Sequence, residues 1–350
     1  MHMSDALISP IVGGTMLAVS AAAIGFSVKK IAGDKLDEKK IPMMGIMGAF
    51  VFAGQMINFT IPGTGSSGHI GGGILLAALL GPYPALISLA SVLLIQCLFF
   101  ADGGLLAYGC NVFNMGVTSC LLAYTFIYKP LVKRSLGEKN KQKIFLASII
   151  AVVAGLQVGA FGVVLETLAS GVSELPFSTF VLLMQPIHLA IGLVEGLVTA
   201  AVLCYVEAAR PELIESVVRD ERAPVGVPRK KILISFGVLT VLVACGLSIF
   251  ASAFPDGLEW AMEKTAGTTE LEREGAAYST AAGIVERTAF LPDYGFKGAD
   301  GEDDAEPSIA VERAGTSVSG FVGSAITLVL AAALGLLIHA VRGKQRTHEA

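Results

Sequence analysis

Nine runs of apolar residues, most of them close to the about 20 residues that a membrane helix needs, constrain this chain more than any other feature. They lie at roughly 6–28, 42–60, 70–81, 84–100, 104–128, 143–166, 184–207, 231–252 and 318–341. The third is too short for an ordinary span and holds Gly71, Gly72 and Gly73, so a broken or tilted segment is expected there. Only 15% of the residues are charged and 53% are hydrophobic, whereas soluble domains carry about 25% charged residues. The fold class that follows is an all-α polytopic membrane protein.

Lys and Arg positions give the orientation, because cytoplasmic loops collect them. Lys29, Lys30, Lys35, Lys39 and Lys40 stand between the first two runs, and Lys129, Lys133, Arg134, Lys139, Lys141 and Lys143 between the fifth and sixth. Residues 206–231 add Arg210, Arg219, Arg222, Arg229, Lys230 and Lys231, and the end adds Arg342, Lys344 and Arg346. With nine alternating spans, 20 of the 25 basic residues fall on one side. The expected arrangement is a multi-pass protein of the cell (inner or plasma) membrane, N-terminus outside and C-terminus cytoplasmic. No basic n-region or small-residue cleavage site opens the chain, so a signal peptide is not expected.

The stretch "ARPELIESVVRDERAPVGVPRK" is polar, holds three prolines and reads as a cytoplasmic linker over 209–230. It divides a seven-helix bundle, residues 1–208, from a two-span hairpin, residues 231–350, whose long outer loop covers 253–317. The acidic run "GADGEDDAEP" in that loop reads as solvated surface, with metal gathering as the alternative. A net charge of −4 and no basic, aromatic-studded patch exclude nucleic acid as a partner; the lipid bilayer is the expected surrounding. Cys97, Cys110, Cys120, Cys204 and Cys245 lie in apolar runs without CxxC spacing and read as packing residues.

Two stretches could carry chemistry. In "TIPGTGSSGHIGGG" (60–73) the lysine and hydroxyl of a phosphate-binding loop are replaced by His69 and Ile70, so it is not a P-loop. Such glycine density suits either a flexible outer turn or a re-entrant loop carrying His69 to a buried site, since non-helical backbone at depth must be buried in protein. The other stretch is the opening "MHMSDALISP". A methionine before a bulky residue is normally retained, which leaves a free amine on Met1. That amine, the His2 amide nitrogen and the His2 imidazole can close five- and six-membered chelate rings on one ion. A fourth nitrogen from His69 would complete a square, a geometry that selects Ni(II) or Cu(II) over Zn, Mg or Ca.

Polar residues inside or beside the spans are candidates for orienting such ligands or lining the ion's path. Gln55 and Asn58 stand one turn apart before the glycine loop, which itself holds Ser67; Asn111 and Asn114 are one turn apart in the fifth run; His188 and Glu195 share a face of the seventh, near Gln185. Each has a blander reading as an interhelical hydrogen bond of about 0.6–2 kcal/mol. Glu195 is the costliest to bury. Ala18/Ala22 and Ala21/Gly25 would let another helix approach the first span closely.

"MHMSDALISP", "QMINFTIPGTGSSGHIGGG", "ADGGLLAYGCNVFNMG" and "HLAIGLVEGLVTA", in this order over residues 1 to about 208, resemble the NikM/CbiM family, the substrate-capturing membrane component of nickel/cobalt energy-coupling factor (ECF) ABC transporters. The tail with "ASAFPDGLEWAME" is similar to the small NikN/CbiN accessory subunit, here fused behind the linker. The resemblance implies a seven-helix S-component fold and metal ligation by Met1, His2 and His69. It also implies Ni(II) or Co(II) as transported substrate with no organic cofactor, and two partners: a transmembrane coupling subunit and cytoplasmic ATPases. Many cobalt members begin Met-His-Ile followed by a glycine; Met3 and Ala6 here lean toward nickel. With no Walker motif, the chain is expected to be a transporter component and not an enzyme. An intramembrane metalloenzyme would need an open metal position and a general base. A secondary carrier would show inverted repeats and helix breaks in both halves, and a break is read in one only.

Overall fold

The computed structural model describes residues 1–33, 40–134, 141–172, 175–221, 230–269, 271–297 and 309–349. Lys35, Lys39 and Lys139, most of the linker's second half and the acidic run 298–307 lie outside the described residues. In chain order the elements are α1 (Pro10–Gly33), α2 (Ile41–Gln55), β1 (Phe59–Ile61), β2 (Ser66–Gly68), α3 (Gly73–Leu80), α4 (Pro82–Phe100), α5 (Tyr108–Lys133), α6 (Lys141–Ser170), α7 (Phe177–Ala209), α8 (Pro211–Val218), α9 (Lys230–Phe250), α10 (Gly257–Ala266), α11 (Ala276–Thr288) and α12 (Ile309–Glu349). Seven of these, α1, α4, α5, α6, α7, α9 and α12, are long and apolar enough to cross a membrane. Their outward faces carry bare apolar side chains, such as Phe126 at 73% and Leu182 at 71% exposure. Lipid rather than water suits such a surface. The chain is an all-α polytopic membrane protein.

Two of the nine apolar runs fold shorter than their composition suggests. The second, expected to reach residue 60, ends its helix at Gln55, and the chain turns into an antiparallel hairpin pairing Phe59 with Gly68 and Ile61 with Ser66. The third shrinks to the eight residues of α3. Gly72 and Gly81 bound it with φ of 76° and 96°, left-handed conformations that a helix interior cannot hold. A Cβ on Gly72 would also lie 2.6 Å from the Val51 side chain. The first run starts late, because Ser4–Ile8 forms a single tight turn and Pro10 opens the helix proper.

The length difference positions the site. With 8 residues in α3 and 19 in α4, the two rise about 12 Å and about 28 Å from their shared corner at Gly81. The glycine loop ahead of α3 therefore folds inward, about 16 Å short of the level that α4 reaches. Helices α5, α6 and α7 pack side by side around it. Gly196 lets α7 approach α6 closely, since a Cβ there would sit 2.9 Å from the Ile149 Cα. The C-terminal helices embrace α2: Phe236 of α9 meets Phe50 edge-on at 5.3 Å, and Ser324 of α12 donates to the Ala49 carbonyl at 3.2 Å. Between them, α10 packs on α7 and α11 on α4. Residues 253–269 and 271–297 thus cover the mouth of the bundle where the chain begins.

Candidate functional site

The first eight residues are threaded into that mouth and pinned there. Asn111 Oδ1 accepts from the Met3 amide (2.7 Å) and its Nδ2 donates to the Met3 carbonyl (3.1 Å), a two-way clamp on one residue. The Gly104 amide donates to the same carbonyl at 2.9 Å. Asp5 Oδ1 accepts from the Ala107 amide at 3.0 Å, and Tyr278 of α11 donates to the Ile8 carbonyl at 2.9 Å. Met3, Leu7 and Ile8 are fully buried. This anchoring leaves Met1 and His2 reaching inward as a short, fixed arm.

The arm meets the glycine loop. The Met1 amine stands 3.1 Å from His69 Nε2, and the His2 and His69 rings stack with centroids 5.0 Å apart and planes 15° apart. His69 Nδ1 lies 3.3 Å from the Ile70 carbonyl. In the tautomer that this carbonyl favours, Nδ1 carries the proton and Nε2 presents its lone pair to the amine. His2 Nδ1 is 3.2 Å from Asp102 Oδ1, and Tyr294 hydrogen-bonds to the other oxygen of Asp102. His2 Nε2 is buried without a partner among the described residues. The Met1 amine also forms an ion pair with Asp256, the residue that opens α10.

Burial, and next the positive terminal amine beside them, depress both imidazoles to about 3. Both are therefore neutral at physiological pH, the form in which imidazole binds metals. Burial pushes the Asp256 carboxyl up, but the adjacent ammonium and His69 outweigh it and hold the group below the usual carboxylate range. Burial raises Asp102, partly offset by the Tyr294 hydrogen bond.

The remaining sequence candidates surround this cluster rather than join it. Gln55 Nε2 donates to the Gly71 carbonyl at 2.9 Å, and Glu195 Oε1 accepts from the Gly72 amide at 2.9 Å, so the two brace the glycine segment from opposite sides. His188 points Nδ1 at the Met184 carbonyl (2.8 Å), and its Nε2 is buried without a partner among the described residues. His188 and Glu195 line, with Met1, His69 and Asp256, a cavity of about 20 Å³, room for about one water-sized species. Asn114 donates to Glu166 at 2.7 Å and lies 3.8 Å from the Met3 sulfur. Gln185 Nε2 donates to the backbone carbonyl of Gln157 in α6, and Gln157 Nε2 to that of Gln185. Asn58 takes part through its carbonyl, and Ser67 through bonds to the tail segment after α9.

Sequence reasoning missed Asp102, Asp256, Tyr294 and Glu166. Asp256 and Glu259 carried a local signal: an Asp followed three residues later by a Glu is a capping-box spacing, and both halves of the box form here. Nothing local places that box beside residue 1. Among the described residues no group of three or more His, Cys, Asp and Glu side chains stands at metal-ligand spacing. The nitrogen groups that do come together are the terminal amine and two imidazoles.

A family model described as cobalt uptake substrate-specific transmembrane region matches residues 2–213, and one described as PDGLE domain matches residues 230–340. A chain of Archaeoglobus fulgidus with the provisional name fused nickel transport protein NikMN is 32% identical over 95% of this chain and 98% of its own length. The fused nickel transport protein NikMN of Rhodobacter capsulatus is 31% identical over 83% of each chain. The cobalt transport protein CbiM of Geobacter sulfurreducens is 27% identical over 83% of this chain and 85% of its own length. A solved structure, a truncated transition metal transporter, is 30% identical with a TM-score of 0.52, covering 60% of this chain and 99% of that one.

Proposed function

We propose, from the premise that this chain belongs to the cobalt uptake substrate-specific transmembrane family and is a nickel/cobalt transport membrane component rather than an enzyme, that it captures Ni(II) in a square of four nitrogens. The Met1 amine, the His2 amide nitrogen, the His2 imidazole and His69 Nε2 supply the square, and Co(II) is the second substrate such a set accepts. The observation that carries this reading is the meeting of residues 1 and 69: an amine and an imidazole lone pair 3.1 Å apart, with the second imidazole stacked beside them. Binding turns His2 from Asp102 onto the ion. Residues 1–208 form the capturing unit, 209–230 the cytoplasmic linker and 231–350 the accessory unit. Uptake is driven by ATP, hydrolysed on separate ATPase subunits that act through a transmembrane coupling subunit.

The test is nickel titration of the purified full-length protein across a range of pH, with metal analysis and absorption spectra. Both imidazoles are depressed to about 3, so neither competes for protons above that value. The His2 amide must lose its proton to become a ligand, and affinity should therefore fall as pH falls, with protons released on binding. An affinity flat with pH, or a spectrum of tetrahedral or oxygen-ligated metal, would overturn the reading.

The site faces outward in this reading, on the basic-residue bias that puts both Arg219 and the chain's end in the cytoplasm. In a Cys245→Ser background, Ser279→Cys on α11 should react with an impermeant thiol reagent in intact cells, and Arg219→Cys only after lysis. The reverse pattern would place the site on the cytoplasmic face and remove capture from outside.

A further inference from the structure

The segment after α9 returns over the mouth of the bundle and lies along the glycine loop. The Ser252 amide donates to the Asn58 carbonyl at 2.7 Å, and the Ser67 amide to the Pro255 carbonyl at 2.8 Å. Ser67 Oγ donates to the Phe254 carbonyl at 2.7 Å, and Trp260 Nε1 to the Thr64 carbonyl at 2.9 Å. These bonds fix the start of α10 against the loop that carries His69. Asp256 then divides its two oxygens between two tasks. Oδ1 caps the helix, accepting from the Leu258 amide at 2.7 Å and the Glu259 amide at 3.0 Å. Oδ2 is left for the Met1 amine.

A primary amine that gives its lone pair to a metal keeps two N–H bonds, and it rotates freely about its bond to Cα unless an acceptor holds one of them. Partners that accept the remaining N–H of a ligand nitrogen fix its orientation and raise its basicity. A divalent ion held by two imidazoles, an amine and one deprotonated amide also leaves a net positive charge in a buried place, which is costly without a counter-charge. Asp102 is taken up by His2 and Tyr294. Asp256 touches the amine itself. Resting on the nickel-capture reading, we propose that Asp256 is a positioning residue of the metal site, contributed by the C-terminal unit: its Oδ2 accepts an N–H of the Met1 amine, aims the lone pair at the ion and balances the ion's residual charge. The C-terminal unit then takes part in capture through one carboxylate.

The test uses the full chain and Ni(II). Asp256→Asn keeps the side-chain size and the capping oxygen, because Asn caps helices as well as Asp does, but presents an amide donor or a neutral oxygen to the amine. Its nickel affinity should drop by about 10–100-fold, and the absorption bands of the saturated protein should shift. A purely structural role would lower occupancy without moving the bands. Asp256→Ala, which also loses the cap, should match Asp256→Asn in its bands, and Asp256→Glu should recover part of the affinity. If the unaltered protein binds nickel and Asp256→Asn binds it with the same affinity and the same bands, this inference falls and the nickel reading stands. If the unaltered protein binds no nickel, both fall.

Discussion

A tag of several residues placed ahead of Met1 is expected to abolish high-affinity nickel capture. The same protein tagged after Ala350 should bind normally. The tag turns the Met1 amine into an amide, and the new terminal amine lies further off by about 3.8 Å of chain per added residue. The structure gives that chain nowhere to go: Met3 is clamped on both its amide and carbonyl by Asn111, and the cavity beyond Met1 holds only about 20 Å³. Losing one of four nitrogens removes on the order of a quarter of a metal site's binding energy, about 3 kcal/mol on a scale of 10–16 kcal/mol, or on the order of 100-fold in affinity. Displacement of a neighbouring donor as well takes binding out of range. Nickel titration of the purified variants reads the effect directly, and an N-terminally tagged protein with unaltered affinity and spectrum would sink the amine as a ligand.

The spans and the site differ in how far the sequence reveals them. Long apolar runs such as 143–166 and 318–341 became helices because length and apolarity are local properties, and a segment of that kind has few alternatives in lipid. The run at 42–60 misled because composition does not display backbone angles, whereas the glycines of 70–81 had already marked that run as too short for an ordinary span. The left-handed turns at Gly72 and Gly81 cut short a stretch that is apolar throughout. The meeting of Met1, His2 and His69 was legible because both histidines are unusual for their settings: one directly follows Met1, and one stands where a phosphate loop would carry lysine. Asp256 was illegible for the opposite reason. A capping Asp ahead of a short helix is ordinary, and its value lies in a partner 255 positions away. Asp102 and Tyr294 form another such pair, 192 positions apart. Local patterns identify groups that are costly where they stand, while fold topology alone pairs ordinary groups across the chain.

His69→Ala and His188→Ala separate a ligand from a neighbour, and the two are expected to differ by orders of magnitude. Both imidazoles are buried, and both line the cavity beneath Met1. Only His69 faces the amine, at 3.1 Å, and only His69 stacks on His2. His188 turns Nδ1 to its own helix at Met184, and Nε2 lies near Gly257, where an added Cβ would approach it to 3.3 Å. His69→Ala removes the loop's only nitrogen donor to the ion, along with the ring against which His2 rests. The backbone path survives, because the β1–β2 hairpin, the Gln55 and Glu195 braces and the bonds from Ser67 do not involve the imidazole. The variant should therefore insert and fold normally, yet bind nickel on the order of 100-fold more weakly or worse. His188→Ala opens space beneath the site and removes a polar neighbour, which should weaken binding by about tenfold, the scale of a lost supporting contact. Equal and complete loss in both variants would overturn the assignment of His69 as the ligand and His188 as its neighbour.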